Sequence, residues 1–309
     1  MARIVVTEFM DERAVAQLRA RHDVLYDPKL VDDMPALLAE AGRADALIVR
    51  NRTQVRGELL AALTSCQVIG RLGVGLDNID VTSCDARGMR VIPATGANAL
   101  SVAEYVITAA MMLLRGAYLS TADVAQGHWP RNSLGNGRET AGRTLGIIGF
   151  GSIGQTVARL ARGLGMQVIA FDALLDSDAP VFEQLGVKCA GLLEVIAQAD
   201  VVTLHVPLVE GTRGLFNAER IALMKPGAVL INTSRGHIVD MDALVAALRS
   251  NHLGGAAVDV FDAEPLPASP SLQNCPNLLL TPHISGVSAE SNERVSFLIA
   301  EKIIEALDR

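Results

Sequence analysis

Short runs of β-branched residues alternate with helical segments along almost the whole chain, and this alternation restricts the fold more than any other feature. A β-α-β-α order predicts parallel strands packed between helices in a doubly wound α/β domain. The aromatic content of only 4% suits such a sheet, whose strands are buried on both faces by aliphatic side chains. The first series of predicted strands is Ile4–Thr7, Asp23–Tyr26, Ala46–Val49, Val68–Gly70 and Arg90–Ile92, with helices such as Glu12–Ala20 and Glu58–Leu63 between them.

A second alternating series begins at Thr144. At about 150 residues per domain, the 309 residues correspond to about two domains. A long helix is predicted from Leu100 to about Leu119, with a capping box formed by Ser101 and Glu104 at its start. The other predicted elements are the strands Thr144–Gly149, Gln167–Phe171, Val201–His205, Val229–Thr233, Ala256–Val260 and Leu278–Thr281, a long loop from Gln126 to Arg143 that holds Trp129, and a final helix from Glu290 to Arg309.

The charge balance is acidic, with 27 Lys and Arg against 34 Asp and Glu and a formal net charge of −7. This balance argues against a nucleic-acid-binding protein, which needs clustered basic side chains to contact phosphates. Hydrophobic residues make up 50% of the chain and charged residues 20%. A wholly disordered chain is therefore excluded.

The mean hydropathy of +0.31 raises the question of a membrane segment. The longest strongly apolar run, Tyr105–Leu114, has ten residues, which is too short to span a bilayer. The chain starts with a predicted strand and no signal-peptide pattern, which predicts a cytoplasmic protein. The cysteines are far apart and form no Cys-x-x-Cys pair, which favours separate thiols over disulfides or a metal site. They are Cys66, Cys84, Cys189 and Cys275.

Gly149, Gly151 and Gly154 form a G-x-G-x-x-G motif between a predicted buried strand and a predicted helix, Ile153–Gly163. In that position the first glycine permits a tight turn, the second lets a pyrophosphate approach the backbone, and the third lets helix and strand pack closely. Asp172 ends the next strand, where a carboxylate can accept hydrogen bonds from ribose hydroxyls. No Arg or Lys follows it in residues 173–175, so the motif predicts NAD rather than NADP.

Arg235, Glu264 and His283 each follow a predicted strand of the second series. Ligands of doubly wound sheets bind at the carboxyl ends of the strands. A guanidinium can hold a carboxylate, an imidazole can move a proton to or from a carbonyl oxygen, and a neighbouring carboxylate can orient the imidazole. This set predicts the oxidation of a 2-hydroxy acid or the reverse reduction.

Three arginines, Arg50, Arg52 and Arg71, follow strands of the first series. Near Arg71, the glycines Gly73 and Gly75 can expose backbone amides to an anion. Such a group suits a substrate with a second negative charge. The alternative is a tight turn with solvated arginines, and the spacing alone leaves both interpretations open.

Together these motifs resemble the D-isomer-specific 2-hydroxyacid dehydrogenases, the group that contains 3-phosphoglycerate dehydrogenase. The resemblance covers essentially the whole chain. It rests on the segments 70–80, 149–154, 205–208, 225–227, 232–236, 259–265 and 281–286.

The resemblance implies Arg235, Glu264 and His283 as the catalytic residues, and the backbone amides of Val74 and Gly75 as ligands of the substrate carboxylate. The implied NAD contacts are Ser152 and Ile153 at the pyrophosphate, Asp172 at the ribose, His205, Pro207 and Thr212 at the adenosine, and Thr233, Asp259, His283 and Gly286 near the nicotinamide. Two residues depart from the family pattern, because many members have Arg at the position of Ser152 and Ala at that of Ser285.

The resemblance also implies a two-domain architecture in which a Rossmann NAD-binding domain, residues 98–284, is inserted into a flavodoxin-like substrate domain, residues 1–97 and 285–309. It implies a homodimer formed through the Leu100–Leu119 helix and the loop that holds Trp129, and a short form without an added regulatory domain. No nucleic-acid or membrane partner is expected.

The expected substrate is a small anionic 2-hydroxy or 2-oxo acid. Arg50, Arg52 and Arg71 favour a second anionic group, such as the sulfonate of (S)-3-sulfolactate, although a phosphate would need much the same residues. The alternatives are 3-phosphoglycerate, hydroxypyruvate or glyoxylate as substrate, and an NAD-sensing binding protein as a different class. A formate dehydrogenase is disfavoured because that enzyme pairs its histidine with Gln, whereas this chain has Glu264.

Overall fold

A computed structural model describes residues 1–116 and 120–308. The chain forms two compact units. Unit 1 consists of Met1–Asn98 together with the C-terminal segment from Val287, and unit 2 is Ala99–Gly286. The sequence-based boundaries after residues 97 and 284 differ from these by one or two residues.

Unit 1 contains one five-stranded parallel sheet whose order, β2-β1-β3-β4-β5, is that of flavodoxin-like folds. Its strands are β1 (Arg3–Val6), β2 (Asp23–Tyr26), β3 (Ala46–Val49), β4 (Val68–Arg71) and β5 (Arg90–Pro93). Its helices are α1 (Glu12–Arg19), α2 (Met34–Ala41), α3 (Gly57–Ala62), α4 (Val81–Ala86) and α13 (Ala289–Leu307), with a short 3-10 helix at Leu30–Asp32.

The long helix α13 is an integral part of unit 1 because it packs directly on the sheet. A β-carbon at Gly70 in β4 would clash with the side chains of Ile299 and Ile303 of this helix, so only glycine fits there. Ser288 caps α13 by accepting a hydrogen bond from the Ser291 amide, and the Ser291 hydroxyl accepts one from the Ser288 amide in return. The C-terminal segment therefore completes the fold that the first 98 residues begin.

Unit 2 contains a seven-stranded parallel sheet in the order β12-β11-β10-β9-β6-β7-β8, the Rossmann order extended by one strand. Its strands are β6 (Thr144–Ile148), β7 (Gln167–Phe171), β8 (Lys188–Cys189), β9 (Val201–Leu204), β10 (Ala228–Asn232), β11 (Leu253–Val258) and β12 (Leu278–Leu280). Its helices are α5 (Ala99–Arg115), α6 (Thr121–Ala125), α7 (Arg131–Leu134), α8 (Ser152–Gly163), α9 (Pro180–Gln184), α10 (Leu192–Gln198), α11 (Ala218–Ala222) and α12 (Met241–Arg249), with 3-10 turns at Glu210–Thr212 and Gly236–Ile238.

The predicted fold class is confirmed, and the differences are local. Helix α5 begins at Ala99, so Ser101 and Glu104 lie inside it and the predicted capping box is wrong. The predicted end of that helix at Leu119 falls in residues 117–119, outside the described part of the chain, as does Arg309 at the predicted end of the last helix. The long loop after Gln126 contains helix α7, and the two-residue strand β8 was not predicted because it has too few residues to show alternation.

Among the described residues, no helix combines the length and the apolar composition needed to cross a bilayer. The four cysteines are separate thiols, and two of them, Cys66 and Cys84, are buried.

Candidate active site

The glycine turn after β6 forms a cradle at the start of helix α8. Gly149 has φ +95° and lies so close to the His205 carbonyl that a β-carbon would not fit. Gly154 packs equally closely on the Gly149 carbonyl, whereas a β-carbon on Gly151 would point into open space. The three glycines thus have the three distinct roles expected at a pyrophosphate site, with Ser152 and Ile153 in the first turn of α8.

Asp172, at the end of β7, is fixed against this turn. Its Oδ2 accepts a hydrogen bond from the Phe150 amide at 2.6 Å and its Oδ1 accepts one from the Leu174 amide at 2.8 Å. A carboxylate has about four acceptor positions, so two bonds leave capacity for ribose hydroxyls. The predicted ribose ligand therefore stands beside the predicted pyrophosphate cradle.

The segment after β9 carries the residues expected at the adenosine. The Thr212 hydroxyl donates to the Pro207 carbonyl at 2.6 Å and accepts from the Val209 amide at 2.9 Å, which folds this segment into a compact turn. Burial lowers the pKa of His205 to about 3. Its imidazole is therefore neutral at physiological pH, and its Nε2 lies 3.0 Å from the Thr203 hydroxyl.

Thr233 follows β10, and its buried hydroxyl has no hydrogen-bond partner among the described residues. Buried polar atoms are rarely left unsatisfied unless a ligand or water completes them. Together with the open space in front of Gly151, this hydroxyl indicates that the residues at the carboxyl edge of the unit 2 sheet fit a bound dinucleotide.

The loop that carries Arg235 is held by its neighbours. The Asn232 side chain donates to the Arg235 carbonyl at 2.8 Å and accepts from the Ser234 amide at 3.0 Å. The Arg235 guanidinium donates to the Ser234 carbonyl at 2.5 Å. Gly236 packs so tightly on the backbone of Phe261 that a β-carbon would overlap it. This close approach brings the Arg235 loop against the segment that leads to Glu264.

His283 and Glu264 are in direct contact, with 2.7 Å between Nδ1 and Oε2. The other carboxylate oxygen of Glu264 accepts from the Phe261 amide at 2.9 Å, which fixes its orientation. Since the carboxylate only accepts hydrogen bonds, Nδ1 of His283 carries the hydrogen, and Nε2 is left for a substrate. The His283 side chain is 42% exposed, so a substrate can reach it.

Asp259 fixes the turn on which His283 lies. This fully buried carboxylate accepts from the Thr281 hydroxyl at 2.6 Å and from the amides of Ile284 and Ser285 at 2.8 Å each. His283 itself has φ +56°, a left-handed conformation that a residue with a β-carbon adopts only when its surroundings impose it. Asp259, predicted as a cofactor contact, thus also shapes the backbone around His283.

Tyr105 and Thr281 extend this network and were missed by sequence reasoning. The two hydroxyl oxygens are 2.6 Å apart, and because Thr281 gives its hydrogen to Asp259, Tyr105 must donate to Thr281. Burial raises the pKa of the Tyr105 phenol, which keeps it protonated for this role. No sequence signal could have found the contact, since Tyr105 lies on α5 and Thr281 follows β12.

Unit 1 also gathers polar residues at the carboxyl edge of its sheet. The structure separates the three predicted arginines. The Arg50 guanidinium donates to Asn292 Oδ1 at 2.7 Å and lies over the Phe9 ring, 5.8 Å from its centre. Arg52 instead pairs with Asp32 on the exposed surface. Arg71 lies against Gly73 and donates to the Leu72 carbonyl at 3.3 Å.

The amides of Val74 and Gly75 make no hydrogen bond to another described residue, so they have free donors for an anion. Glu8, Phe9 and Asn292 were not predicted as site residues. Only their contacts with the Arg50 loop identify them, and no local motif does.

The profile of the NAD-binding domain of the D-isomer specific 2-hydroxyacid dehydrogenases matches residues 107–285. The chain belongs to this family. It is thus an NAD-dependent oxidoreductase of the D-2-hydroxyacid dehydrogenase class, and unit 2 contains its NAD-binding domain.

Among individual relatives, the (S)-sulfolactate dehydrogenase of Chromohalobacter salexigens is 51% identical, with 99% of each chain covered. The hydroxypyruvate reductase of Thermotoga maritima is 35% identical over 99% of this chain and 98% of its own length. The D-3-phosphoglycerate dehydrogenase of Archaeoglobus fulgidus is 34% identical, and the match spans 98% of this chain but 56% of that protein. The crystal structure of TT0316 protein from Thermus thermophilus is 33% identical with a TM-score of 0.86, covering 99% of this chain and 97% of that one.

Proposed function

We propose that His283 is the proton donor and acceptor of the dehydrogenase reaction, that Glu264 orients it, and that Arg235 binds the substrate carboxylate. The observation that carries this proposal is the 2.7 Å contact between His283 Nδ1 and Glu264, which leaves Nε2 directed to other groups. A guanidinium pairs with a carboxylate through two parallel hydrogen bonds, which suits Arg235 to its role.

In the oxidation direction, His283 Nε2 accepts the proton of the substrate hydroxyl as the hydrogen on the same carbon leaves with its electron pair. NAD, when bound, supplies the acceptor for that hydride. The resulting imidazolium is stabilised by Glu264, and Arg235 holds the carboxylate so that the reacting carbon is fixed. In the reduction direction, the imidazolium returns its proton to the carbonyl oxygen.

The cofactor contacts in this proposal are the glycine turn with Ser152 and Ile153, Asp172 at the ribose, and His205, Pro207 and Thr212 at the adenosine. Thr233, Asp259 and Gly286 would lie near the nicotinamide. Two observations support the assignment: the partnerless buried hydroxyl of Thr233 and the open space in front of Gly151.

We infer that the substrate carries a second negative charge, and that unit 1 binds the substrate through Arg50, Arg52 and Arg71 with the amides of Val74 and Gly75. The favoured pair is (S)-3-sulfolactate and 3-sulfopyruvate, because the relative that is 51% identical over 99% of both chains is named for sulfolactate. This compound has the D arrangement, since its sulfur-bearing branch outranks the carboxylate in the priority rules. A 3-phosphate, or the single charge of hydroxypyruvate or glyoxylate, is the alternative.

A substrate panel followed by NADH absorbance tests these assignments. It contains 3-sulfolactate, 3-phosphoglycerate, D-lactate and D-glycerate for oxidation, and glyoxylate and hydroxypyruvate for reduction. We expect the highest kcat/KM for 3-sulfolactate. A preference for a substrate with one charge would contradict the role of the unit 1 arginines, and no turnover with any member would favour an NAD-sensing binding protein.

We further propose that the protein is a cytoplasmic homodimer. Val124 and Trp129 are 44% and 76% exposed, and together with Pro130 and Leu134 they line an apolar surface pocket that a second copy could cover. The separate thiols suit a reducing compartment. Sedimentation of the wild type and of Trp129→Glu tests the dimer, with dissociation of the variant expected, and cell fractionation tests the compartment.

A further inference from the structure

Glu8 is a buried carboxylate that the proposed reaction does not use. It follows β1 in unit 1 and is 4% exposed. Its Oε1 accepts from the amides of Arg50 and Thr53 at 2.9 and 3.0 Å, and its Oε2 accepts from the Arg52 amide at 3.1 Å. A buried charge is costly unless hydrogen bonds satisfy it, and here all three donors come from one loop, residues 50–53. Glu8 therefore determines the backbone position of that loop.

Buried neighbours hold the same loop at both ends. The Asn78 side chain donates to the carbonyls of Arg50 and Thr53 at 3.0 and 2.7 Å, and the hydroxyls of Thr7 and Thr53 are 2.8 Å apart. Thr7, Thr53 and Asn78 are each at most 5% exposed. The loop is thus a rigid support rather than a surface turn.

This support presents Arg50 and Arg52 differently. Burial lowers the pKa of the Arg50 guanidinium, which nevertheless remains charged at physiological pH. Its side-chain partners are the neutral amide of Asn292 and the face of the Phe9 ring, whereas Arg52 is paired with the Asp32 carboxylate. The Glu8 carboxylate acts on the Arg50 charge through space. Among the described residues, no carboxylate forms an ion pair with Arg50, so its charge can still attract an anion in a partly dehydrated setting.

We propose that Glu8 is a positioning residue that sets Arg50 to bind the second negative charge of the substrate and so to distinguish dianionic from monoanionic 2-hydroxy acids. This inference rests on the proposed function of the Arg50 site. Phe9 and Asn292 fix the guanidinium at its tip, while Glu8 fixes the backbone from which it projects. The segments that follow β1 and β3, together with the start of α13, thus form one specificity determinant.

The test compares Glu8→Gln with the wild type on 3-sulfolactate, 3-phosphoglycerate and D-lactate. The amide keeps the size of the side chain but places an NH2 group against backbone donors, which displaces the loop. We expect KM for the dianionic substrate to rise about tenfold, with kcat within about twofold and KM for D-lactate within about threefold. Glu8→Asp, which keeps the carboxylate, should recover part of the difference.

Asp45→Asn is the matched control. Asp45 is likewise a carboxylate that accepts a hydrogen bond from a backbone amide, that of Arg3 in the first position of β1 at 2.7 Å, but it does so at the opposite edge of the same sheet. We expect this variant to keep the wild-type ratio of the two KM values. If Glu8→Gln does not fold, Glu8→Asp provides the test: its shorter carboxylate should raise KM for the dianion about threefold. Asn292→Ala then tests the tip of Arg50 separately.

The possible outcomes distinguish a failure of the proposed function from a failure of the proposed role of Glu8. A wild type that turns over no 2-hydroxy acid contradicts the proposed function itself, and one without preference for a dianion contradicts the charge assignment and, with it, the role of Glu8. A wild type that prefers the dianion, combined with unchanged or equally lowered kcat/KM for all substrates in Glu8→Gln, overturns the role of Glu8 alone.

Discussion

The carboxyl edges of the two sheets carry polar residues that are organised in different ways. In unit 2 the groups follow strands one by one. Arg235 is fixed by Asn232 within its own segment, and His283 by Glu264, 19 positions away along the chain. In unit 1 a single carboxylate, Glu8, organises a loop that follows a different strand. Under the proposed function, unit 2 supplies the chemistry through residues that follow neighbouring strands, whereas unit 1 sets the choice of substrate through one buried carboxylate and contacts as far apart as Arg50 and Asn292.

The largest expected effect tests the proposed chemistry of unit 2. His283→Ala removes the only proposed proton carrier, so kcat should fall about 10³-fold. NAD binding should remain close to that of the wild type, because the glycine turn and Asp172 are untouched. Stopped-flow or steady-state NADH absorbance measures kcat, and fluorescence titration measures NAD binding. Turnover near the wild-type rate would contradict the mechanism.

Glu264→Gln should lower kcat for hydroxy acid oxidation by about 10²-fold. The Phe261 amide keeps the side-chain oxygen as its acceptor, which turns the new NH2 group toward His283 Nδ1. The imidazole must then accept at Nδ1 and carry its hydrogen on Nε2, where it can no longer take the substrate proton. The Glu264→Asp variant, which remains a carboxylate, is the control and should retain more activity than the amide.

A comparison of Arg50→Ala with Arg52→Ala tests the proposed role of unit 1 in the choice of substrate. Arg50→Ala should raise KM for the dianionic substrate by about tenfold or more, which corresponds to at least about 1.4 kcal/mol. Arg52→Ala should have a clearly smaller effect, because its guanidinium already pairs with Asp32 in solvent. An equal rise in KM for the two variants would show that Arg52 binds the substrate despite its solvent-exposed ion pair with Asp32.

Tyr105→Phe tests whether a contact from a distant segment of unit 2, helix α5, contributes to the reaction. Loss of the hydroxyl removes the donor to Thr281, which in turn donates to Asp259, and this loosens the turn of His283. We expect kcat to fall by about three- to tenfold with KM nearly unchanged. The neighbouring Val106→Ala, a core change on the same helix, serves as control and should lower stability with little effect on kcat.

The smallest effect concerns the pH dependence of stability. Burial lowers the pKa of His205 from its ordinary value of 6.5 to about 3. Between these values the unfolded chain holds a proton that the folded chain does not, so the free energy of unfolding falls as the pH falls. His205→Gln should lose less stability than the wild type between about pH 7 and pH 5, by roughly 1 kcal/mol, since the ring keeps some contact with solvent. Urea unfolding at both pH values measures this, and parallel losses would contradict it.

Much of the fold was predictable because its signals are local. The buried strands show as short aliphatic runs, and three spaced glycines mark the turn before α8. The helix boundary at Ala99 was misplaced since Ser101 and Glu104 mimic a cap, and β8 has only two residues. The shared position of the predicted catalytic residues at one edge of the sheet could be inferred, because parallel strands place their carboxyl ends there.

The sequence by itself determined the alternation of strands and helices, the NAD-binding turn and the three residue types needed for hydride chemistry, since each depends on neighbours a few positions away. Only the tertiary structure decided that Glu264 meets His283, that Arg52 pairs with Asp32, and that Glu8 and Asn292 support Arg50. Asn292 lies 242 positions from Arg50 along the chain. Such contacts depend on how the chain folds back on itself, because hydrogen bonds require a fixed distance in space that sequence spacing does not encode.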